Sequence, residues 1–322
     1  MKKTIGTVIW AAAVLSLIAS ALLRSDRSLS VSQRGTLNIL LIVCVCSIAY
    51  CFIAGELTRN YSQMDKLWSL LPIAYTWIIA AGSGMKIRPV LFALIVTAWG
   101  IRLTINFARK GAYRLKFWTG EEDYRWAVVR GMRFFRHRIA WIAFDLFFIS
   151  AYQNTLVLLI CLPALAGMDS TAPLGLWDAL AVSLSVLFLI LETAADETQW
   201  KFHRTKKELL KERGSLDALP EPYCLGFNTC GIWAYMRHPN YLGEQGFWLS
   251  LYLPAIGAGA AQGPFRLHWS VVGSLLLVLL FMGSSRLGES ISAKKYPRYK
   301  DYAEQVFKYL PLRRFDPGIH GT

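Results

Sequence analysis

The chain has 322 residues, of which 54% are apolar and only 17% are charged, and its formal net charge at pH 7 is +14. Its mean hydropathy is +0.36, and the apolar residues form long uninterrupted runs. A water-soluble domain buries such a run only once or twice, so this composition excludes an ordinary soluble protein and predicts an integral membrane protein.

Eight apolar stretches are long enough to cross a bilayer as helices, which takes about 20 residues because every backbone amide must be satisfied within the segment. They lie at residues 5–23, 36–54, 67–82, 89–108, 139–166, 173–195, 241–260 and 268–285. We therefore predict an all-α fold, a polytopic membrane helix bundle of about eight transmembrane helices. The first stretch resembles a signal peptide, but its length and its poor cleavage site favour a retained span.

The positive charge predicts the orientation of these spans. Of the 35 Lys and Arg residues, 24 lie in residues 109–138, 196–240 and 286–322. Cationic loops stay in the cytoplasm, so we predict that these segments and both termini are cytoplasmic. The turn at residues 24–34 disagrees, because it places three Arg on the predicted outer side. Basic loops attract anionic lipid headgroups by about 1 kcal/mol per charge, which predicts membrane lipids as partners and no nucleic acid.

Several motifs are missing from the sequence. The six cysteines form no CxxC pair, which excludes a disulfide framework or a zinc site and predicts no metal. No GxGxxG or GxxxxGK motif is present, so a nucleotide would not be bound by a Rossmann or P-loop device. The absence of HExxH and GxSxG excludes the corresponding metalloproteases and triad hydrolases. Residues 206–231 contain Gly and Pro at intervals and predict a cytoplasmic cap loop.

The first candidate cluster combines Asp65 and Arg109, which lie at predicted cytoplasmic helix ends, with Arg102, about two turns deeper. A buried Arg requires an anion. That anion is either a bound ligand or a carboxylate that only fastens helices together, such as Asp65 or Glu192.

The second cluster leaves the sixth predicted span. If its helix continues into the cytoplasm, Glu192, Asp196, Gln199 and His203 lie on one face, and Arg204 follows. Such a stripe suits a sugar hydroxyl or an amide near the membrane and a phosphate further out. An ordinary solvated helix with local ion pairs would show the same periodicity.

The third cluster surrounds Pro239, which suits the first turn of a helix because it lacks an amide hydrogen. His238 then precedes the helix, and Arg237 lies just outside it. The free amides, the helix dipole and Arg237 together predict an anion site. Asn240 and Glu244 are four residues apart and share a face of this helix.

The fourth cluster is C-terminal and contains Ser285, Arg286 and Glu289, followed by Arg298 and Tyr299. Tyr and Arg at these intervals can close over a flat, negatively charged ligand, because aromatic faces stack and guanidinium groups pair with phosphate. They can equally anchor an amphipathic helix at the membrane interface.

Residues 237–244, Arg-His-Pro-Asn-Tyr-Leu-Gly-Glu, followed by Tyr-Pro-Arg-Tyr at 296–299, resemble the C-terminal signature of the steroid 5-alpha-reductase superfamily. Met-Asp-x-x-Trp at 64–68, Trp-Gly-x-Arg-Leu at 99–103 and Asp-x-x-Gln at 196–199 resemble its bacterial reductase-like branch. The Arg-His-Pro-x-Tyr element is shared with isoprenylcysteine carboxyl methyltransferases.

The resemblance extends over residues 64–312. It implies two regions, residues 1–63 as N-terminal spans outside the family core and residues 64–322 as a steroid-reductase-like membrane domain with a seven-helix core. It also implies a bacterial inner-membrane enzyme that uses NADPH to reduce a carbon–carbon double bond conjugated to a carbonyl. The substrate would be an apolar lipid or steroid-like molecule from the bilayer. The candidate cofactor-binding residues are Arg102, Arg109, Glu192, Asp196, Gln199, Arg204, Arg237, His238, Asn240, Tyr241, Glu244, Ser285, Glu289 and Tyr299.

Two residues are the candidate catalytic pair. Family members bind the substrate ketone oxygen with a Glu and a Tyr, whose positions match Asp65, seven residues before Pro72, and Trp99, three before Arg102. An indole donates a hydrogen bond but does not readily release its proton. Two alternatives therefore stay open, an S-adenosylmethionine-dependent methyltransferase of a lipid or isoprenyl carboxylate, and a non-catalytic lipid-binding membrane protein.

Overall fold

The structure is a computed structural model that describes residues 29–261 and 267–318. These residues are helical or irregular, and none of them forms a strand of a sheet. Five helices are long and apolar enough to cross a membrane, so the chain is an all-α integral membrane protein. They are Val31–Thr58, Ile87–Ala108, Arg138–Gly167, Leu176–Arg213 and Trp269–Lys295.

Twelve α-helices make up the described residues in chain order. They are α1 (Val31–Thr58), α2 (Gln63–Leu67), α3 (Leu71–Gly82), α4 (Ile87–Ala108), α5 (Tyr124–Arg130), α6 (Arg138–Phe144), α7 (Gln153–Gly167), α8 (Leu176–Arg213), α9 (Pro239–Ser250), α10 (Leu253–Gly257), α11 (Val272–Lys295) and α12 (Tyr299–Gln305). A π-helix, Asp145–Tyr152, joins α6 to α7. Three short 3-10 turns lie at Tyr223–Leu225, Gly231–Ala234 and Trp269–Val271.

Five of the predicted spans correspond to the five long helices, and the predicted span at 5–23 lies outside the described residues. Two others are shorter. The stretch 67–82 yields the 12-residue α3, and the stretch 241–260 yields α9 and the short α10. Pro72 and Pro254 each lie in the first turn of a helix, where proline begins a new helix instead of continuing the previous one.

The prediction that a loop begins at residue 206 is wrong, because α8 continues to Arg213. The residues Lys206–Arg213 are mostly Lys, Glu, Leu and Arg, which are strong helix formers. Gly214 then takes a positive φ of 78°, a conformation that favours glycine, and its amide donates to the Leu210 carbonyl. The cap loop therefore begins about two helical turns later than predicted.

The chain divides into two compact units. Unit 1 contains the residues up to Ser183 together with Trp248–Leu277, and unit 2 contains Leu184–Phe247 together with the residues from Val278. The predicted division at residue 63 stays a prediction.

Unit 1 is held together by close helix packing and one buried ion pair. A Cβ atom on Gly100 of α4 would lie 2.6 Å from the Ile73 side chain and from the Ser69 carbonyl, so only glycine permits this approach of α3 to α4. Arg88 donates from Nε and Nη2 to the two carboxylate oxygens of Asp178, at 2.7 and 3.0 Å. This pair fastens the beginning of α4 to the beginning of α8.

Unit 2 places α8 against α9 and closes an aromatic core around the C-terminal helix. A Cβ atom on Gly243 would lie 2.6 Å from the Cβ atom of Glu192, and Gly246 faces the ring of Phe188. The Tyr302 hydroxyl donates to the Trp233 carbonyl at 2.5 Å. The buried core consists of Leu225, Phe227, Tyr299, Tyr302, Val306 and Phe315.

Candidate functional site

The segment that leads into α9 is fixed by backbone pairing with the C-terminal segment. As predicted, α9 begins at Pro239. Met236 and Phe307 form a parallel bridge, and the amides of Arg237 and His238 donate to the carbonyls of Phe307 and Lys308, at 3.0 and 3.1 Å. Two stretches that are far apart in sequence therefore present their side chains from one short ladder.

Three basic side chains meet one carboxylate beside this ladder. Arg237 Nε and His238 Nε2 each lie 2.9 Å from Glu289 Oε1, and Lys308 Nζ lies 3.4 Å from Glu289 Oε2. We call these four residues the Glu289 cluster. Their side chains are 13 to 26% exposed, so the cluster is accessible from solvent. Arg237 and Lys308 alone carry more positive charge than Glu289 neutralises.

The cluster is held in place by further contacts. Arg237 also donates to the carbonyls of Ala303 and Val306, and Lys308 Nζ lies 3.2 Å from the hydroxyl of the fully buried Ser285. These bonds fix the guanidinium and ammonium groups before any ligand arrives, which lowers the entropic cost of binding an anion.

His238 is oriented on both sides. Its ring stacks on Tyr241 at 5.1 Å with an interplanar angle of 15°, while its Nε2 faces Glu289. Tyr309 lies 6.3 Å away, ring to ring, and its buried hydroxyl has no hydrogen-bond partner among the described residues. An aromatic wall with an unused hydroxyl therefore borders the basic group.

A second group of polar side chains lies between α8 and α9. Glu192, Asp196 and Glu244 are buried, and Asn240 Nδ2 donates to Asp196 Oδ1 at 3.2 Å. We call these four residues the α8–α9 polar cluster. The close approach at Gly243 brings the α9 backbone against Glu192, so the predicted acidic face of α8 does meet the predicted amide face of α9.

The outer end of the α8 stripe is more open. Gln199 Nε2 lies 3.0 Å from His203 Nε2, while the buried Gln199 Oε1 has no hydrogen-bond partner in the part of the chain that the structure describes. Arg204 Nε binds Glu208 at 3.1 Å on the exposed surface, where its side chain is 69% exposed. The ordinary i, i+4 ion pair that the sequence left open describes Arg204 well.

Tyr299 is a core residue. It is buried and packs edge-on against Phe227 at 5.1 Å, within the aromatic core of unit 2. Of the sixteen predicted site residues, twelve lie in unit 2, and Asp65, Trp99, Arg102 and Arg109 lie in unit 1.

Asp65 lies in α2 and accepts a hydrogen bond from Trp126 Nε1 at 3.1 Å. Burial raises the pKa of Asp65, and the negative charge of Asp123 raises it further. The charge of Arg125 and hydrogen bonds from Ser62 and Trp126 offset this rise only in part. The carboxyl group therefore keeps its proton to a higher pH than an ordinary Asp.

The other predicted residues of unit 1 lie on α4. Trp99 is fully buried, and its ring meets Trp248 edge-on at 5.0 Å. Arg102 is half-buried, and Arg109 Nε donates to Asn106 Oδ1 at 3.0 Å. The catalytic role of Trp99 stays a prediction.

Two features of the clusters were missed by the sequence analysis. Lys308 stands alone between Phe307 and Tyr309, and no motif marks it. Its place follows only from the pairing of Phe307 with Met236. Asp123 and Trp126, which face Asp65, lie in a basic loop where charge was the only signal.

Comparison with known proteins gives a family and one curated relative. The family described as "Protein of unknown function (DUF1295)" matches residues 51–306. An uncharacterized protein of Schizosaccharomyces pombe is 35% identical over 267 residues, which cover 79% of this chain and 73% of the yeast protein. No solved structure matches the chain.

Proposed function

This chain belongs to the DUF1295 family, and we propose that it is a membrane-embedded, NADPH-dependent reductase. Its substrate is an apolar lipid or steroid-like molecule taken from the bilayer, in which a carbon–carbon double bond is conjugated to a carbonyl. The proposal includes the resemblance to the steroid 5-alpha-reductase superfamily, a total of about eight spans and a bacterial inner membrane with both termini in the cytoplasm.

The observation that carries the proposal is the meeting of two different polar clusters at the start of α9. Arg237 and His238 precede Pro239 and belong to the Glu289 cluster, whereas Asn240 follows it and binds Asp196. A dinucleotide has the same two chemistries, since phosphates lie beside sugars and an amide. Guanidinium and ammonium groups suit the phosphates, and buried carboxylate and amide groups suit hydroxyl and carboxamide groups.

The residues present fit such a cofactor in charge and in hydrogen bonding. The excess positive charge of the Glu289 cluster, together with the free amides at the first turn of α9, favours an anion. The buried Gln199 Oε1 and the Tyr309 hydroxyl, which lack partners within the described ranges, offer two further positions for a ligand's polar groups.

NADPH would supply the hydride. Asp65 would hold a proton for the carbonyl oxygen, because burial raises its pKa and keeps the carboxyl group able to donate. Negative charge develops on that oxygen as a hydride adds to the conjugated double bond, so a donor there lowers the barrier. Trp99 would contribute at most a hydrogen bond from its indole.

A thermal titration tests this function against its two rivals. Purified protein in detergent is heated with NADPH and, separately, with S-adenosylmethionine. The reductase proposal predicts that NADPH alone raises the unfolding midpoint, since a ligand at 100 times its Kd stabilises by about 2.7 kcal/mol. A response only to S-adenosylmethionine would favour the methyltransferase, and no response to either would favour the non-catalytic lipid binder.

A further inference from the structure

A buried carboxyl group lies inside the apolar helix Arg138–Gly167 and has no part in the proposed reductase. Asp145 is 1% exposed and begins the eight-residue π-helix Asp145–Tyr152. Long π-helical stretches are rare, and π-turns within helices frequently occur at functional sites. An ionisable residue at this depth is a candidate functional group by default, because burying its charge is costly.

Two oxygen acceptors at this place have no donors. Asp145 Oδ1 receives one long hydrogen bond, 3.4 Å from the Ser150 hydroxyl, and Asp145 Oδ2 receives none from any described residue. Asn154 is fully buried, and its Nδ2 donates to the Ser150 carbonyl at 2.8 Å. The Asn154 Oδ1 atom, like Asp145 Oδ2, lacks a donor among those residues.

Both side chains face the same side of α1. A Cβ atom on Gly55 would lie 3.4 Å from Asp145 Oδ2, and Asn154 Nδ2 lies 3.6 Å from Cys51 Sγ. Cys51 and Gly55 are four residues apart on α1, which is one helical turn. The two acceptors therefore lie along one seam between α1 and the π-helical region.

The charged neighbours do not neutralise Asp145. Glu56 of α1 and Arg130 of α5 are the charged groups that act on it, and the Glu56 charge is repulsive. Arg130 lies flat between two rings, 4.4 Å from the centre of Tyr61 and 4.5 Å from that of Trp141. Within the described residues it forms no ion pair with Asp145.

We propose that Asp145 is a proton-binding site inside the membrane-spanning part of the protein. One proton from water binds the carboxylate, giving a neutral carboxyl group whose hydrogen lies on Oδ2 and is directed along the seam toward Asn154. This single proton removes the buried charge and changes one of the two unsatisfied acceptors into a donor. Intramembrane carboxyl groups of this kind form proton relays in other membrane proteins.

Asp178 provides a matched contrast in the same unit. It is as deeply buried as Asp145, at 3% exposure, but both of its oxygens bind the Arg88 guanidinium. A bidentate Arg keeps a carboxylate ionised. The two residues therefore differ in protonation and not in accessibility.

Dicyclohexylcarbodiimide tests the proposal, because this apolar reagent modifies protonated carboxyl groups in apolar surroundings. The full chain is treated at pH 6 and at pH 9, and adducts on Asp145 and Asp178 are quantified by peptide mass spectrometry. We expect Asp145 to be modified about tenfold more than Asp178 at pH 6, a ratio that corresponds to one unit of difference in pKa. Equal modification of the two residues would overturn the proposal.

The substitution Asp145→Asn decides the question if the reagent reaches neither residue. Asparagine has the shape of a protonated Asp, so the thermal midpoint at pH 7.5 should stay within about 2 °C of the wild type. The same change at Asp178 breaks a buried pair and should lower the midpoint by more than about 5 °C. A loss in Asp145→Asn as large as that in Asp178→Asn would show that Asp145 is ionised and would overturn the proposal.

Discussion

The two buried ionic groups of this protein, one in each unit, use their charges differently. In unit 1, Arg88 and Asp178 are 6% and 4% exposed and bind each other through both carboxylate oxygens. The remaining donors of Arg88 bind the carbonyls of Ala172 and Pro173. In unit 2, Glu289 alone faces the three basic side chains of Arg237, His238 and Lys308, in a more exposed setting.

This difference separates a structural fastening from a candidate site. A closed pair with matched charge and satisfied donors has nothing left to offer a ligand, whereas a cluster with more positive than negative charge attracts an anion. Removing one partner should therefore cost stability in the first case and ligand affinity in the second.

The largest expected effect comes from breaking the closed pair. Replacing Arg88 by Ala leaves Asp178 buried without its counter-ion, and breaking a buried pair costs about 3–5 kcal/mol of unfolding free energy. Thermal unfolding at a fixed scan rate measures this loss. A loss below that of Lys308→Met, which removes a charge from the more exposed cluster, would contradict the distinction between the two groups.

The next effect concerns the approach of α8 to α9. Gly243→Ala forces a Cβ atom against Glu192, and such overpacking costs about 1–3 kcal/mol. Because α9 would move away from α8, the Asn240 to Asp196 bond should lengthen and NADPH affinity should fall. Gly283→Ala is the control, since a Cβ atom there meets nothing within 4 Å and alanine favours the helix. Equal behaviour of the two variants would show that the close approach is unimportant.

Two neighbouring carboxyl groups should show opposite pH dependence. The pKa of Asp65 is raised, so its folded form costs stability as the pH rises above the ordinary value of 3.8. We expect Asp65→Asn to be more stable than the wild type at pH 8, with the difference vanishing below pH 3.8. The same substitution should abolish reduction, because a carboxamide holds no acidic proton.

For Asp123 the sign is reversed. Burial alone would raise the pKa of Asp123, but hydrogen bonds and the positive charge from Arg125 lower it below 3.8. Its stabilising contribution is therefore complete above pH 3.8 and is lost as the pH falls through the lowered value. Asp123→Asn should be less stable than the wild type at pH 7 and should approach it in acid. Thermal midpoints from pH 3 to pH 8 for both variants measure the two signs.

The smallest expected effect is that of Arg204→Ala. This residue binds only Glu208 on the exposed face, and an exposed i, i+4 pair contributes about 0.3–0.5 kcal/mol. NADPH affinity should change less than twofold. A larger loss would restore Arg204 to the phosphate contacts implied by the family resemblance.

The sequence predicted most of the architecture because hydrophobic length is a strong signal. The five long helices and the start of α9 at Pro239 follow from apolar runs and from proline chemistry. The end of α8 was misplaced, because charged helix formers such as Lys206 and Glu208 resemble a polar loop when only hydropathy is considered.

The candidate site was predicted only in part. Residues on one helix face, such as Asn240 and Asp196, were found because helical periodicity fixes their direction. Lys308 was missed because its position depends on a backbone bridge between distant segments, which no local pattern encodes. Asp145 was overlooked because an isolated acidic residue in an apolar run gives no sign of what surrounds it.

The most direct test of the central claim is the NADPH affinity of Lys308→Met, measured by fluorescence titration of the purified protein beside Arg204→Met. If the Glu289 cluster binds a phosphate of the cofactor, loss of one charge-assisted hydrogen bond should raise the Kd about tenfold in Lys308→Met and should weaken its salt dependence. Arg204→Met should stay within about twofold of the wild type. Equal affinity in all three proteins would contradict the account.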